Sequence, residues 1–165
     1  MSLHTILVLF HIAGAVLGAG GATIAEAQIG RALRDKKITG DEKYLLHANY
    51  FLIRIGTLLV VASGLALIWY YLSQGNDWVL TSPKIWMKEV MVAAIIVNAF
   101  LLTKRWIPFW LGSAISFTSW WGALILGSWR GVPYSFITLS YSYVIAIALV
   151  AVTLHLVREH FFKRS

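Results

Sequence analysis

The residues of this chain that could do chemistry sit largely where chemistry is costly, inside long apolar stretches. His11 lies about two turns into the first stretch and Lys88 about a turn and a half into the third, at 3.6 residues per turn. A charged group at such a depth costs several kcal/mol unless it faces a partner or water. Trp120, Tyr134, Thr138 and Tyr141 fall at comparable depths in the fourth and fifth stretches. His11, Lys88, Trp120 and Tyr141 therefore form the leading candidate site. His11 would serve as a ligand or proton-transfer group, and Lys88 as the positive charge for a propionate or other anion. The bland alternative has His11 hydrogen-bonded inside the bundle and Lys88 snorkelling to the headgroups.

Haem b is one cofactor these residues could hold. His11 would be an axial ligand, Met87 or Met91 lies at a matching depth for a second, and Lys84 or Lys88 could meet a propionate. A bis-histidine pair is missing, because His4 and His11 are two turns apart on one helix while His47 and His155 lie toward the opposite side. Copper at His11, with His4, Met87 and Met91, is the metal these donor types suit. There is no HExxH spacing and no cysteine, which removes thiolate metal sites and thioether-linked haem. No nucleophile motif or phosphate-cradling loop assigns an enzyme class. A second cluster lies toward the other side: Arg54 shares a helix face with His47 and Tyr50, and Glu26 closes the first stretch at that level. A Glu26–Arg54 ion pair would neutralise both charges. With Asn98 these groups could line a polar path, so a small-solute or proton conduit is the alternative reading. No internal repeat is evident and five helices do not divide into inverted halves, so such a conduit would need a homo-oligomer. The remaining alternative is an oligomeric structural subunit without chemistry of its own.

The elements that position these residues are set by hydropathy. The 165 residues are 59% hydrophobic and only 13% charged, with a mean hydropathy of +0.73. A soluble domain of this size cannot hide so much apolar surface. The lipid bilayer is the solvent, and the net charge of +7 is membrane patterning, with no nucleic-acid partner implied. Stretches of roughly 3–27, 48–72, 84–103, 107–129 and 134–157 each approach the ~20 residues a helix needs to cross the hydrocarbon. The expectation is an all-α, polytopic bundle of five transmembrane helices in a single domain, 1–165. Ser82-Pro83 supplies a cap and first-turn proline, Pro108 opens the fourth helix, and Gly131 with Pro133 separates the last two. Thr39-Gly-Asp-Glu42 has capping-box spacing, which starts the second helix near residue 40, ahead of the membrane.

Lys and Arg set the orientation. Arg31, Arg34, Lys36, Lys37, Lys43, Lys104, Arg105, Arg158, Lys163 and Arg164 fall at one end of the helices, against Lys84 and Arg130 at the other. Ten against two predicts the N-terminus outside and the C-terminus in the cytoplasm. Ala25-Glu26-Ala27 has the small-x-small form of a signal-peptidase site, but positive charge follows the segment instead of preceding it, so a retained helix is expected. Within it, His4, Leu7, His11, Gly14, Gly18, Gly21, Ala22 and Ala25 share one face. Gly14 and Gly18 would let a helix or a flat ligand approach the backbone closely.

The first helix "FHIAGAVLGAGGAT", the basic loop after it, and "SPKIWMKEVMVAAIIVNAFLL" resemble small bacterial inner-membrane proteins of largely unassigned function. The pattern is also similar to the broader group of the copper-resistance D-type membrane domain and the J-type protoporphyrinogen oxidases. The shared features are a His–Gly-rich first helix and a lysine ahead of an apolar run, matched by His11 and Lys88 across about the first two thirds of the chain. The resemblance implies a bacterial cytoplasmic membrane, and haem, porphyrin or copper handling in the outer half of the bundle.

Overall fold

The computed structural model describes residues 1–35 and 40–162, with side chains placed for 1–31 and 40–159. Six helices follow in order: α1 (Leu3–Asp35), α2 (Gly40–Ser73), α3 (Trp78–Thr81), α4 (Pro83–Thr103), α5 (Phe109–Ser128) and α6 (Phe136–Phe162). Five of them, all but the single turn α3, are long and apolar enough to cross a membrane. The protein is thus an all-α, multi-pass membrane protein whose lipid-facing surface must contact the bilayer. Helices are the spanning structure open to it, because only they satisfy every backbone polar group within one segment.

The hydropathy boundaries hold to within two residues for α4 and α5. α1, α2 and α6 instead run on at the end that carries most of the Lys and Arg, hereafter the basic end. Helical hydrogen bonding continues there in polar sequence, as the start expected near residue 40 anticipated. Thr39, Lys36, Lys37, Lys163 and Arg164 lie outside the described residues. Pro83 takes the first turn of α4 behind Ser82, whose backbone is extended (φ −74°, ψ 114°), although its hydroxyl makes no capping bond. Pro108 caps α5 in the same extended form.

In lipid, helices gain little from hiding apolar surface from one another, so close packing decides which faces meet. α1 and α2 form an antiparallel hairpin, by far the most extensive helix pair. Its seam is made of glycine. A Cβ added to Gly56 would lie 2.8 Å from the Gly18 nitrogen and 2.9 Å from the Gly14 oxygen, so the two backbones touch. Asn49 pins the register by donating to the Gly21 carbonyl at 2.9 Å. α5 packs against α1, α4 and α6, which makes it the central strut. Ala19, Ala22, Val60, Ile95 and Trp120 form one buried cluster across α1, α2, α4 and α5. Met87, Met91, Leu126 and Leu139 form a second, joining α4, α5 and α6. α6 is the least embedded span, with only 6% of its apolar window buried.

Candidate functional site

Two elements cover the glycine face of α1. Gly14 lies against Leu59 and Val60 of α2, and Gly18 lies under the indole of Trp120, whose ring atoms come within 2.1–2.4 Å of where a Cβ would sit. Protein fills this face, and no slot for a flat ligand remains between Gly18 and Trp120.

Toward the end opposite the basic one, hereafter the far end, polar groups line the α1–α2 seam. His4 Nε2 pairs with the Tyr71 hydroxyl at 2.9 Å. Two turns deeper, His11 Nδ1 meets Ser63 Oγ at 3.0 Å, with Gly64 leaving room for the ring. Ser63 has one hydroxyl proton, and it goes to the Leu59 carbonyl. Ser63 thus ties the His11 ring to the α2 backbone through Nδ1, and Nε2 is the ring's other polar atom. Lys88 lies within electrostatic range of this ring. Neither Lys88 nor His11 has a carboxylate within ion-pair distance among the described residues. Lys84 has a different task. Its ammonium donates to the Trp129 carbonyl at 2.5 Å and more distantly to that of Gly127, capping the end of α5.

The other residues expected here separate. Trp120 is buried between the two polar ends of the bundle, in the apolar cluster, and its indole nitrogen has no partner. Met91 belongs to the Met87–Leu126–Leu139 cluster and presses on Gly122. Tyr141 is 69% exposed on the outside of α6. The inward tyrosine is Tyr143, whose hydroxyl shares a 2.6 Å hydrogen bond with the fully buried Ser119. Ser63, Ser119 and Tyr143 are polar core positions that sequence reasoning passed over. Their signal is faint: small hydroxyls among apolar neighbours, as in "ASG" and "FTSWW".

The basic end holds a buried charge cluster. Glu26 accepts a hydrogen bond from the Arg158 guanidinium at 2.7 Å and another from Ser113, and Arg158 also donates to Ser113 at 2.9 Å. Both charged side chains are nearly buried, at 13% and 14% exposure. The ion pair expected between Glu26 and Arg54 is replaced by this one. Arg54 is exposed on α2, with no hydrogen-bond or ion-pair partner among the described residues. Glu26, Ser113, Ser116 and Tyr50 also line a cavity of about 50 Å³, with Ile53, Leu102, Phe109 and Phe117 among its apolar walls. Asn98 is buried nearby and donates to the Gly112 carbonyl at 2.8 Å. The polar groups thus form two separate ends, and the Ala19–Val60–Ile95–Trp120 cluster seals the middle. Among the described residues, no continuous polar path joins them within one chain.

No protein-family model, curated protein or solved structure matches this chain. Among the described residues, no group of three or more His, Cys, Asp or Glu side chains could hold a metal ion. Haem b fits poorly: the glycine face is filled, and Met91 is committed to the α4–α5–α6 cluster. The His11–Ser63 and Lys88 groups form the candidate site.

Proposed function

We propose that this protein binds an anionic group, a carboxylate in the first instance, carried by an apolar molecule at the far-end site of Lys88 and His11. The supporting observation is an intramembrane lysine within electrostatic range of a histidine, with Glu89 acting on it only through space and no carboxylate within ion-pair distance among the described residues. A carboxylic acid entering from lipid in neutral form would give its proton to the His11 imidazole. The carboxylate left behind would take a charge-assisted hydrogen bond from Lys88. Ser63 positions the imidazole through its Nδ1. The ten-to-two distribution of Lys and Arg supports an outward-facing site, with the N-terminus outside. The resemblance drawn from the sequences of α1 and α4 supports a bacterial cytoplasmic membrane.

The test uses the full chain in neutral detergent, with quenching of its tryptophans by 9,10-dibromostearate against the methyl ester. The acid should bind about tenfold or more tightly than the ester, the worth of a charge-assisted hydrogen bond of about 1.5–3 kcal/mol. Lys88→Gln should abolish that preference. Equal quenching by acid and ester in the wild type would refute the reading.

A further inference from the structure

Arg54 is left without a counter-charge, and the environment that leaves it so also shows what should supply one. At 1.5 Å per residue it sits about 21 Å along α2 from Gly40. Its neighbour Ile53 packs on Gly21, well within the apolar length of α1. The aromatic residues Trp69, Tyr70 and Tyr71 mark the far-end interface of α2. Some 30 Å of hydrocarbon measured back from them ends near residue 51. Arg54 is therefore about one turn inside the apolar layer and exposed, and its side chain is long enough to reach the basic-end headgroups. Glu26, the acid expected to neutralise it, is saturated by Arg158 and Ser113. On the same face, His47 and Tyr50 continue from Arg54 toward the basic end, and both are exposed. Tyr50 and Ile53, which flank this position in the sequence, line the same cavity as Leu102, Phe109, Phe117 and the paired Glu26.

We propose that Arg54, with Tyr50, forms a binding site for the phosphodiester of an anionic phospholipid in the basic-end leaflet, the adjoining cavity taking the start of its apolar chain. Arginine suits this role because its planar fork donates two parallel hydrogen bonds to phosphate oxygens. A zwitterionic lipid offers the same phosphate but brings its own cation, so an anionic headgroup is preferred. The site lies at the other end of the bundle from the Lys88–His11 site and does not depend on that reading.

The test is native mass spectrometry of the full chain, exchanged in detergent with an equimolar mixture of dioleoylphosphatidylglycerol and dioleoylphosphatidylcholine. The wild type should retain one phosphatidylglycerol per chain in about tenfold preference. Arg54→Leu should lose that preference, Arg54→Lys should keep part of it, and Arg105→Gln, an exposed basic-end control, should keep all of it. Arg54→Gln replaces Arg54→Leu if the latter does not fold by circular dichroism. Equal retention in wild type and Arg54→Leu overturns the site. So does a wild-type dimer that Arg54→Leu converts to monomer with lipid retention unchanged, because the counter-charge would then come from a second copy.

Discussion

Replacing Glu26 with Gln leaves the Arg158 guanidinium, only 14% exposed, facing a neutral amide and Ser113. Removing one member of a buried ion pair costs roughly 3–5 kcal/mol, because the other charge stays out of water without compensation. Glu26→Gln keeps the shape and one acceptor oxygen, so about 3 kcal/mol is expected. Arg158→Leu removes the donor of both the 2.7 Å bond to Glu26 and the 2.9 Å bond to Ser113, and about 4 kcal/mol is expected by the same principle. In the double variant neither charge remains, so its loss should be about 1–2 kcal/mol, well below the sum of the two single losses. The assay is reversible unfolding of the four proteins in mixed micelles, followed by helical circular dichroism against denaturing detergent. A parallel cycle pairing Glu26→Gln with Arg54→Leu should be additive within about 0.5 kcal/mol, since the two groups share no contact. Additive losses in the Arg158 cycle, or strong coupling in the Arg54 cycle, would refute the assignment of Glu26 to Arg158.

Gly18→Ala should destabilise the bundle by about 1–3 kcal/mol or more in the same unfolding assay, because its Cβ meets the buried Trp120 ring and cannot be accommodated cheaply. Gly20→Ala, with nothing within 4 Å of the added methyl, should be neutral or slightly stabilising. Lys84→Met should cost about 1–2 kcal/mol and loosen the end of α5, read as faster amide exchange from Gly127 to Trp129, while binding at Lys88 survives. The chain has no native cysteine, so orientation can be read by membrane-impermeant maleimide on single substitutions. Asn76→Cys should label from outside intact cells and Arg105→Cys only after lysis; the reverse pattern would invert the topology.

Hydropathy made the five spans legible because a 20-residue apolar run has few other uses. The glycine face was legible for the same kind of reason: small residues at four-residue spacing serve close approach. Depth was readable too, and it correctly placed Glu26 toward the basic end. Azimuth was not. Arg54 and Arg158 lie toward the same end, and nothing in either apolar helix says which one turns toward α1. Tyr141 and Tyr143 are two residues apart, about 200° around a helix that is apolar on every side. Only the position of Ser119 on α5 shows which of them faces in. The site therefore shrank from four expected residues to His11 and Lys88, joined by Ser63, whose hydroxyl looks from sequence like any other small residue in a span.

α6 follows the other spans in the chain and is the most thinly held, yet it carries the guanidinium that neutralises Glu26. During synthesis, then, the α1–α2 hairpin and α5 can assemble while Glu26 and Ser113 still wait for their counter-charge. Until α6 docks, Glu26 has Ser113 but no counter-charge, and its end of α1 must stay near water. Arrival of α6 ends that need and draws the basic end shut. The order of elements along the chain thus places an electrostatic check after the first four spans, where a misplaced α6 would leave an acid and a base stranded in separate parts of the membrane.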